Sequence, residues 1–275
     1  MKQVTLTIRF EGGEADNGRL PIYDAASAEN GLARSINIVT QSFANDEEMR
    51  KRGDSATGAV VYASAPRKGC YEIEVDVVFN DAICNKMGAS VITSRYWDYL
   101  TWCWSFAVGK EYEPVTPYLQ KLVDSEDAKI EEIADALESA LINLHKPIAS
   151  DPQNISLVLS RKHVGDVMTL DAETNEYVNV RDTSQDEEYI LGNVTKFNIL
   201  TNYGRVFDDK LRRVVSFQVI EDPSHRLRSL ITKSMHERVS GRTGKLHFLV
   251  RRVENAVGTV KRYVVYDIYD VPENR

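Results

Sequence analysis

Alternation opens the chain. In Val4-Thr-Leu-Thr-Ile-Arg-Phe10 the apolar residues Val4, Leu6, Ile8 and Phe10 take every second position, the period of a half-buried strand. After the acidic, glycine-rich loop Glu11-Gly-Gly-Glu-Ala-Asp16 the period lengthens, and Ala25, Leu32, Ile36, Val39 and Phe43 predict a helix from about Asp24 to Phe43. Gly31 weakens that helix and points to a close approach by another element. Past the charged, turn-rich stretch 45–58, alternation returns in Ala59–Ala63 and Tyr71–Val77, a hairpin turned at Pro66-Arg-Lys-Gly69. Its second strand sends Ile73, Val75 and Val77 one way and Glu72, Glu74 and Asp76 the other. The start therefore reads β-α-β-β, a small antiparallel sheet with a helix on one face.

Residues 82–108 are the apolar peak and hold all three tryptophans, Trp97, Trp102 and Trp104. Lys86, Arg95 and Asp98 interrupt the run, and charges near a bilayer centre are costly, so it reads as one buried helix of a water-soluble protein. The alternative is a helix whose tryptophans dock a protein partner or a second copy of the chain. Glu113-Pro and Thr116-Pro mark a linker. A helix over 124–145 follows, apolar at Ile130, Ile133, Ala134, Leu137, Leu141 and Leu144 and ended by Pro147. Its acidic face, Glu126, Asp127, Glu131, Glu132 and Asp135, reads as solvated. Asn154–Leu159 predicts a strand, and Val167–Leu170 with Tyr177–Val180 a second hairpin turned at Ala172–Asn175. The polar stretch Arg181–Glu188 is the best boundary, giving domains 1–185 and 186–275.

The last third has the most specific order. Strands are predicted at Tyr189–Phe197, around Gly204–Phe207 and at Arg212–Ile220; Asp222-Pro223 opens a helix that Gly241–Gly244 closes; strands Lys245–Val253 and Val260–Tyr269 follow, turned at Asn255 and Gly258. Five strands with a helix between the third and fourth resembles the OB-fold, a small partly open barrel. Gly192, in mid-strand, allows the bend that barrel closure needs. The fold class is thus α+β: an N-terminal antiparallel sheet with helices, and a C-terminal OB-like five-stranded barrel.

Charge separates the two parts. The 34 Lys+Arg and 41 Asp+Glu of the chain divide into 16 and 12 from Asp186 onward and 18 and 29 before it. An acidic front weakens non-specific attraction to polyanions, so a polyanion site would be local to the barrel. Cys70, Cys84 and Cys103 are odd in number and widely spaced, which fits a reducing compartment and argues against a disulfide framework. With no signal-peptide layout at Met1, the chain is expected in the cytoplasm.

No nucleophile elbow, zinc-protease helix, dinucleotide loop or calcium loop is present. Gly241-Arg-Thr-Gly-Lys245 fails as a phosphate loop, because it follows a helix and lacks the needed Gly and Ser/Thr, having Val239 and Leu246 there. The five histidines have no ligand spacing. Two acidic clusters, Glu11/Glu14/Asp16 and Glu72/Glu74/Asp76, are candidate metal sites, but alternating acids also describe a solvated sheet face. No catalytic residue, metal site or cofactor is assigned. The OB-fold resemblance implies a ligand across strands two and three, clasped by neighbouring loops. By position the candidates are Phe197, Tyr203, Arg205, Arg212, Arg213 and Gln218, joined by His247, Arg251, Arg252, Lys261, Arg262 and Tyr263 from the last two strands. Aromatic rings among cations suit stacked bases and a tracked phosphate backbone. The expected function is a non-enzymatic adaptor whose barrel binds nucleic acid or nucleotide. The alternatives are a structural subunit with a protein-binding barrel and a metal-dependent nuclease or hydrolase using the N-terminal acids. Finally, Phe10-Glu-Gly-Gly, Arg19-Leu20, Tyr23-Asp24 and Pro66-Arg-Lys-Gly69 resemble the opening of an uncharacterised bacterial family associated with antiviral defence neighbourhoods, which implies a context and no catalytic residue.

Overall fold

The alternation at the head of the chain becomes strand β1 (Lys2–Glu11), in a computed structural model that describes residues 1–48, 54–64, 70–124, 129–179, 184–220, 223–254 and 260–271. Two units emerge, Met1–Val178 and Asn179–Arg275. The turns expected at 66–69 and 255–258, the acids Glu126 and Asp127, and the cap expected at Asp222 lie outside the described residues.

In the first unit β1 is the middle strand of an antiparallel sheet. Its order is β2 (Ala59–Ala63), β3 (Tyr71–Phe79), β1, β4 (Ser156–Arg161), β5 (Gly165–Leu170). Val4, Leu6, Ile8, Phe10, Val75 and Val77 are each no more than 4% exposed, and burying each contributes roughly 1.5–3 kcal/mol. Helix α1 (Ile22–Ala44) shares this core, Phe43 meeting Phe79 ring to ring at 5.7 Å. Gly31 lies against α5 (Ile130–Leu144): a Cβ there would stand 2.4 Å from both the Ala140 carbonyl oxygen and the Leu144 nitrogen.

The aromatic stretch is two helices, not one. Helix α2 (Asp81–Met87) is capped by Asn80, whose side chain accepts from the Ile83 N–H at 3.0 Å, and it stops at Gly88, where φ is +81°. Helix α3 (Ile92–Ala107) then restarts. The charges that interrupted the apolar run each do structural work. The Lys86 ammonium donates to the Ala44 carbonyl at the end of α1, and the Arg95 guanidinium donates to the Met87 carbonyl at 2.6 Å. Asp98, 5% exposed, holds the segment that follows α3. Among the described residues no helix is long and apolar enough to cross a membrane.

Further readings are corrected. The connection marked by Glu113-Pro and Thr116-Pro lies inside the first unit and leads into a helix the sequence did not suggest, α4 (Pro117–Val123), capped by the Thr116 hydroxyl. Helix α5 ends at Leu144, while Pro147 sits inside a further short helix, α6 (Lys146–Ser150). On the acidic face, Glu131 is only 7% exposed, so that face is not wholly solvated. The acidic loop after β1 winds into a 3-10 helix, Gly13–Asn17. Strand β5 pairs with β4; of the partner strand expected at Tyr177–Val180, Tyr177 and Val178 are the end of helix α7 (Ala172–Val178), and Val180 lies outside the described residues.

The second unit is the expected five-stranded barrel, and it is closed. Strands β6 (Glu188–Phe197), β7 (Tyr203–Asp208) and β8 (Arg213–Val219) form a meander. Helix α8 (His225–Val239), capped by the Ser224 hydroxyl, leads to β9 (Leu246–Glu254) and β10 (Val260–Asp270). β10 runs parallel to β8, β9 pairs antiparallel with β10, and β6 closes the ring on β9. That is the OB-like order. Gly192 is the corner: from Glu188 to Gly192 the strand pairs with β9, and from Gly192 onward with β7. A Cβ at Gly192 would stand 2.3 Å from the Phe207 carbonyl oxygen.

Candidate functional site

Strict alternation in β7 and β8 sorts their side chains. Gly204, Val206 and Asp208 of β7 and Val215, Phe217 and Val219 of β8 point into the barrel, which leaves Tyr203, Arg205 and Phe207 and Val214, Ser216 and Gln218 on its outer wall. The register aligns them in rows. Tyr203 is opposite Gln218, and Gln218 opposite Val264 of β10; Arg205 is opposite Ser216, and Ser216 opposite Arg262. Two guanidinium-bearing positions thus flank one serine, on strands roughly 10 Å apart. Arg251 of β9 extends the first row opposite Val264, and its guanidinium lies 4.8 Å from the centre of the Tyr266 ring while pairing with Glu187 at 3.0 Å.

The β7–β8 turn closes one end of this wall. Lys210, Arg212 and Arg213 are exposed there, and Arg212 takes a left-handed φ of +55°. Asp208 holds the turn, its Oδ1 accepting the N–H groups of Lys210 at 2.7 Å and Leu211 at 2.9 Å. Arg213 reaches across to donate to the Val260 carbonyl at 2.6 Å, which sets the turn beside the start of β10, where Lys261 occupies a bulge.

Other expected residues lie elsewhere. Tyr263 is buried in the barrel, 0% exposed, and its hydroxyl donates to Asp208 Oδ2 at 2.5 Å, so its ring is closed to any base. Burial, then that hydrogen bond, pushes its ionisation well above the ordinary tyrosine range. Arg252 is forked onto Glu188, with Nη2 2.7 Å from Oε2, and Glu254 stands 3.7 Å away. Phe197 stacks on the buried Phe217 at 6.0 Å and helps plug the barrel. His247 is on β9 opposite Leu191 and Tyr269, around the wall from β7. The tryptophans proposed as a partner interface are interior: Trp97, Trp102 and Trp104 are 3%, 7% and 0% exposed. Phe207 and Lys210, missing from the sequence-based set, belong to the patch; the alternation of β7 carried the signal for Phe207.

The acidic clusters are engaged structurally. Glu11 accepts from Arg9 at 2.7 Å, Asp16 from the Gly12 N–H at 2.7 Å, and Glu14 pairs with Arg19 at 3.4 Å. Across the sheet, Glu72, Glu74 and Asp76 face Arg9, Thr7 and Thr5, and Asp76 accepts from the Thr5 hydroxyl at 2.6 Å. Among the described residues no three His, Cys, Asp or Glu side chains come together as a metal site.

Residues 6–179 match the family described as domain of unknown function DUF7946. The chain belongs to the DUF7946 family. In this DUF7946 protein the barrel has a separate match: residues 186–269 correspond to the family of unknown function DUF7947, from just before β6 to within β10. No curated protein and no solved structure matches the chain.

Proposed function

We propose that the barrel binds a single-stranded nucleic acid or a nucleotide on the outer wall formed by β7, β8 and β10. The observation that carries this reading is the register that sets Arg205 and Arg262 on either side of Ser216, with Tyr203 and Gln218 in the next row. Cations spaced along a wall suit a phosphate backbone, a half-exposed tyrosine suits a base face, and an amide side chain suits a base edge. The exposed Lys210, Arg212 and Arg213 extend the basic surface past the end of the strands. The excess of 16 Lys+Arg over 12 Asp+Glu from Asp186 onward supports a local attraction for polyanions in an otherwise acidic chain. In this reading the protein is a cytoplasmic, non-enzymatic adaptor that also engages a protein partner or a second copy of itself, and the resemblance of its opening residues to a defence-associated family gives the setting. The buried tryptophans do not supply that second surface.

Fluorescence anisotropy of the full-length chain with short labelled single-stranded DNA and RNA, across a salt series, tests it. The affinity is expected to fall with salt by roughly 0.7 in log K per log unit for each phosphate contacted. Arg205→Ala with Arg262→Ala is expected to weaken binding and lower that slope by about 1.4, two contacts' worth. Arg252→Ala, which breaks the fork on Glu188, is expected to leave the slope unchanged. Absence of binding at low salt overturns the reading, and an unchanged slope in the double variant moves the site off this wall.

A further inference from the structure

The first unit contains a cleft of about 160 Å³ whose floor is Trp97, Asp98 and Thr101 of α3 and whose walls are the segment Tyr112–Thr116 and the β4–β5 hairpin with Arg161. Asp98 builds one wall and is fully used in doing so. Its Oδ1 accepts the Tyr112 hydroxyl at 2.6 Å and the Val115 N–H at 3.1 Å; its Oδ2 accepts the Thr116 N–H at 2.7 Å and the Thr116 hydroxyl at 2.5 Å. Four donors fill the acceptor positions of a carboxylate, so Asp98 has none left for a ligand cation.

Arg161 is the reverse case. Its guanidinium lies 5.8 Å from the centre of the Trp97 ring and makes no ion pair among the described residues. Residues 1–185 hold 29 Asp+Glu against 18 Lys+Arg, so a guanidinium without a carboxylate there is conspicuous by position as well as by chemistry. At that distance the guanidinium is within reach of the ring face, and with no carboxylate partner its N–H groups can take a planar anion through two parallel hydrogen bonds. The rim is apolar: Val115 and Val164 are 73% and 65% exposed on opposite walls. A cavity near 150 Å³ accommodates a benzene-sized group.

We propose that this cleft is a binding site for a small apolar carboxylate, its ring or alkyl group between Trp97 and the two rim valines and its carboxylate forked by Arg161. The site is in the first unit and is independent of the barrel wall. The probe is benzoate, titrated into the full-length protein and followed by saturation-transfer NMR, with benzamide as a neutral match in shape. Benzoate is expected to bind with a Kd on the order of 1 mM, and benzamide at least tenfold more weakly. Arg161→Met, which keeps the stem and removes the fork, is expected to weaken benzoate at least tenfold, and Arg161→Lys to restore only part of the loss. Val164→Glu sets a like charge at the exposed rim without touching the core and is expected to weaken benzoate as well. No saturable binding in the millimolar range, benzamide binding as tightly as benzoate, or affinity unchanged in both Arg161→Met and Val164→Glu each overturns the proposal.

Discussion

Gly31 is where two helices of the first unit meet backbone to backbone, α5 presenting the Ala140 carbonyl and the Leu144 nitrogen to the space a side chain would need. Main-chain atoms of a packed helical turn cannot swing aside as a flexible side chain can, so Gly31→Ala is expected to destabilise this unit by about 1–3 kcal/mol despite its better helix propensity. A urea titration followed by tryptophan fluorescence reads it, since all three tryptophans are in α3. His145 sets the acid limit of the same unit. Its ring is fully buried, Nδ1 2.7 Å from the Leu141 carbonyl and Nε2 3.0 Å from the Thr174 hydroxyl, and burial pulls its pKa down to about 4. The unfolded chain, with an ordinary histidine, takes a proton below about 6.5 that the folded unit refuses. Stability is therefore expected to be level in this respect above pH 6.5 and to fall by roughly 1.4 kcal/mol per pH unit down to about 4. Urea midpoints at successive pH values check this, and His145→Gln should flatten that part of the profile.

At the level of elements, legibility followed length and strictness of period. The barrel strands were readable where buried and exposed positions alternate, as in Val215, Phe217 and Val219 of β8, and β6 stayed readable although Gly192, Asn193 and Val194 are buried in succession at its corner. In 82–108 unbroken hydrophobicity hid the interruption at Gly88, and the functions of Lys86 and Arg95 as carbonyl caps are tertiary, with partners set by the fold. Helix α7 is seven residues long, under two turns, so periodicity had little to act on. Its signal was local instead: Asp171 Oδ1 accepts the Thr174 N–H at 3.0 Å and Thr174 Oγ1 accepts the Asp171 N–H at 2.7 Å, a reciprocal cap that Asp171-Ala-Glu-Thr174 spells out. Helix α8 shows what a single cap carries. It buries little beyond Leu227, Ile231 and Ser234, and Ser224 accepts the Leu227 N–H at 3.3 Å. Ser224→Ala is expected to cost about 1 kcal/mol, seen as faster amide hydrogen exchange in the first turn of α8 with the strands still protected.

For the molecule as a whole, the charge division and the two element patterns were visible in the amino-acid order, while the candidate wall was visible only in part. Position along strands found Tyr203, Arg205, Gln218 and Arg262, but alternation does not reveal that the bulge before Arg262 shifts register, or that Arg252 is spent on Glu188 and Tyr263 on Asp208. The Arg161 cleft was not legible at all, because α3, the Tyr112–Thr116 segment and the β4–β5 hairpin are distant in sequence. Gly192 joins the local and the global descriptions. One strand serves two neighbours because its corner carries no side chain. With a larger residue there, β6 would have to move off the Phe207 carbonyl, and a barrel in which every strand has a neighbour on both sides would be opened at that corner. Open edges recruit strands from other molecules, so the side chain missing at this corner also keeps the barrel closed to outside strands.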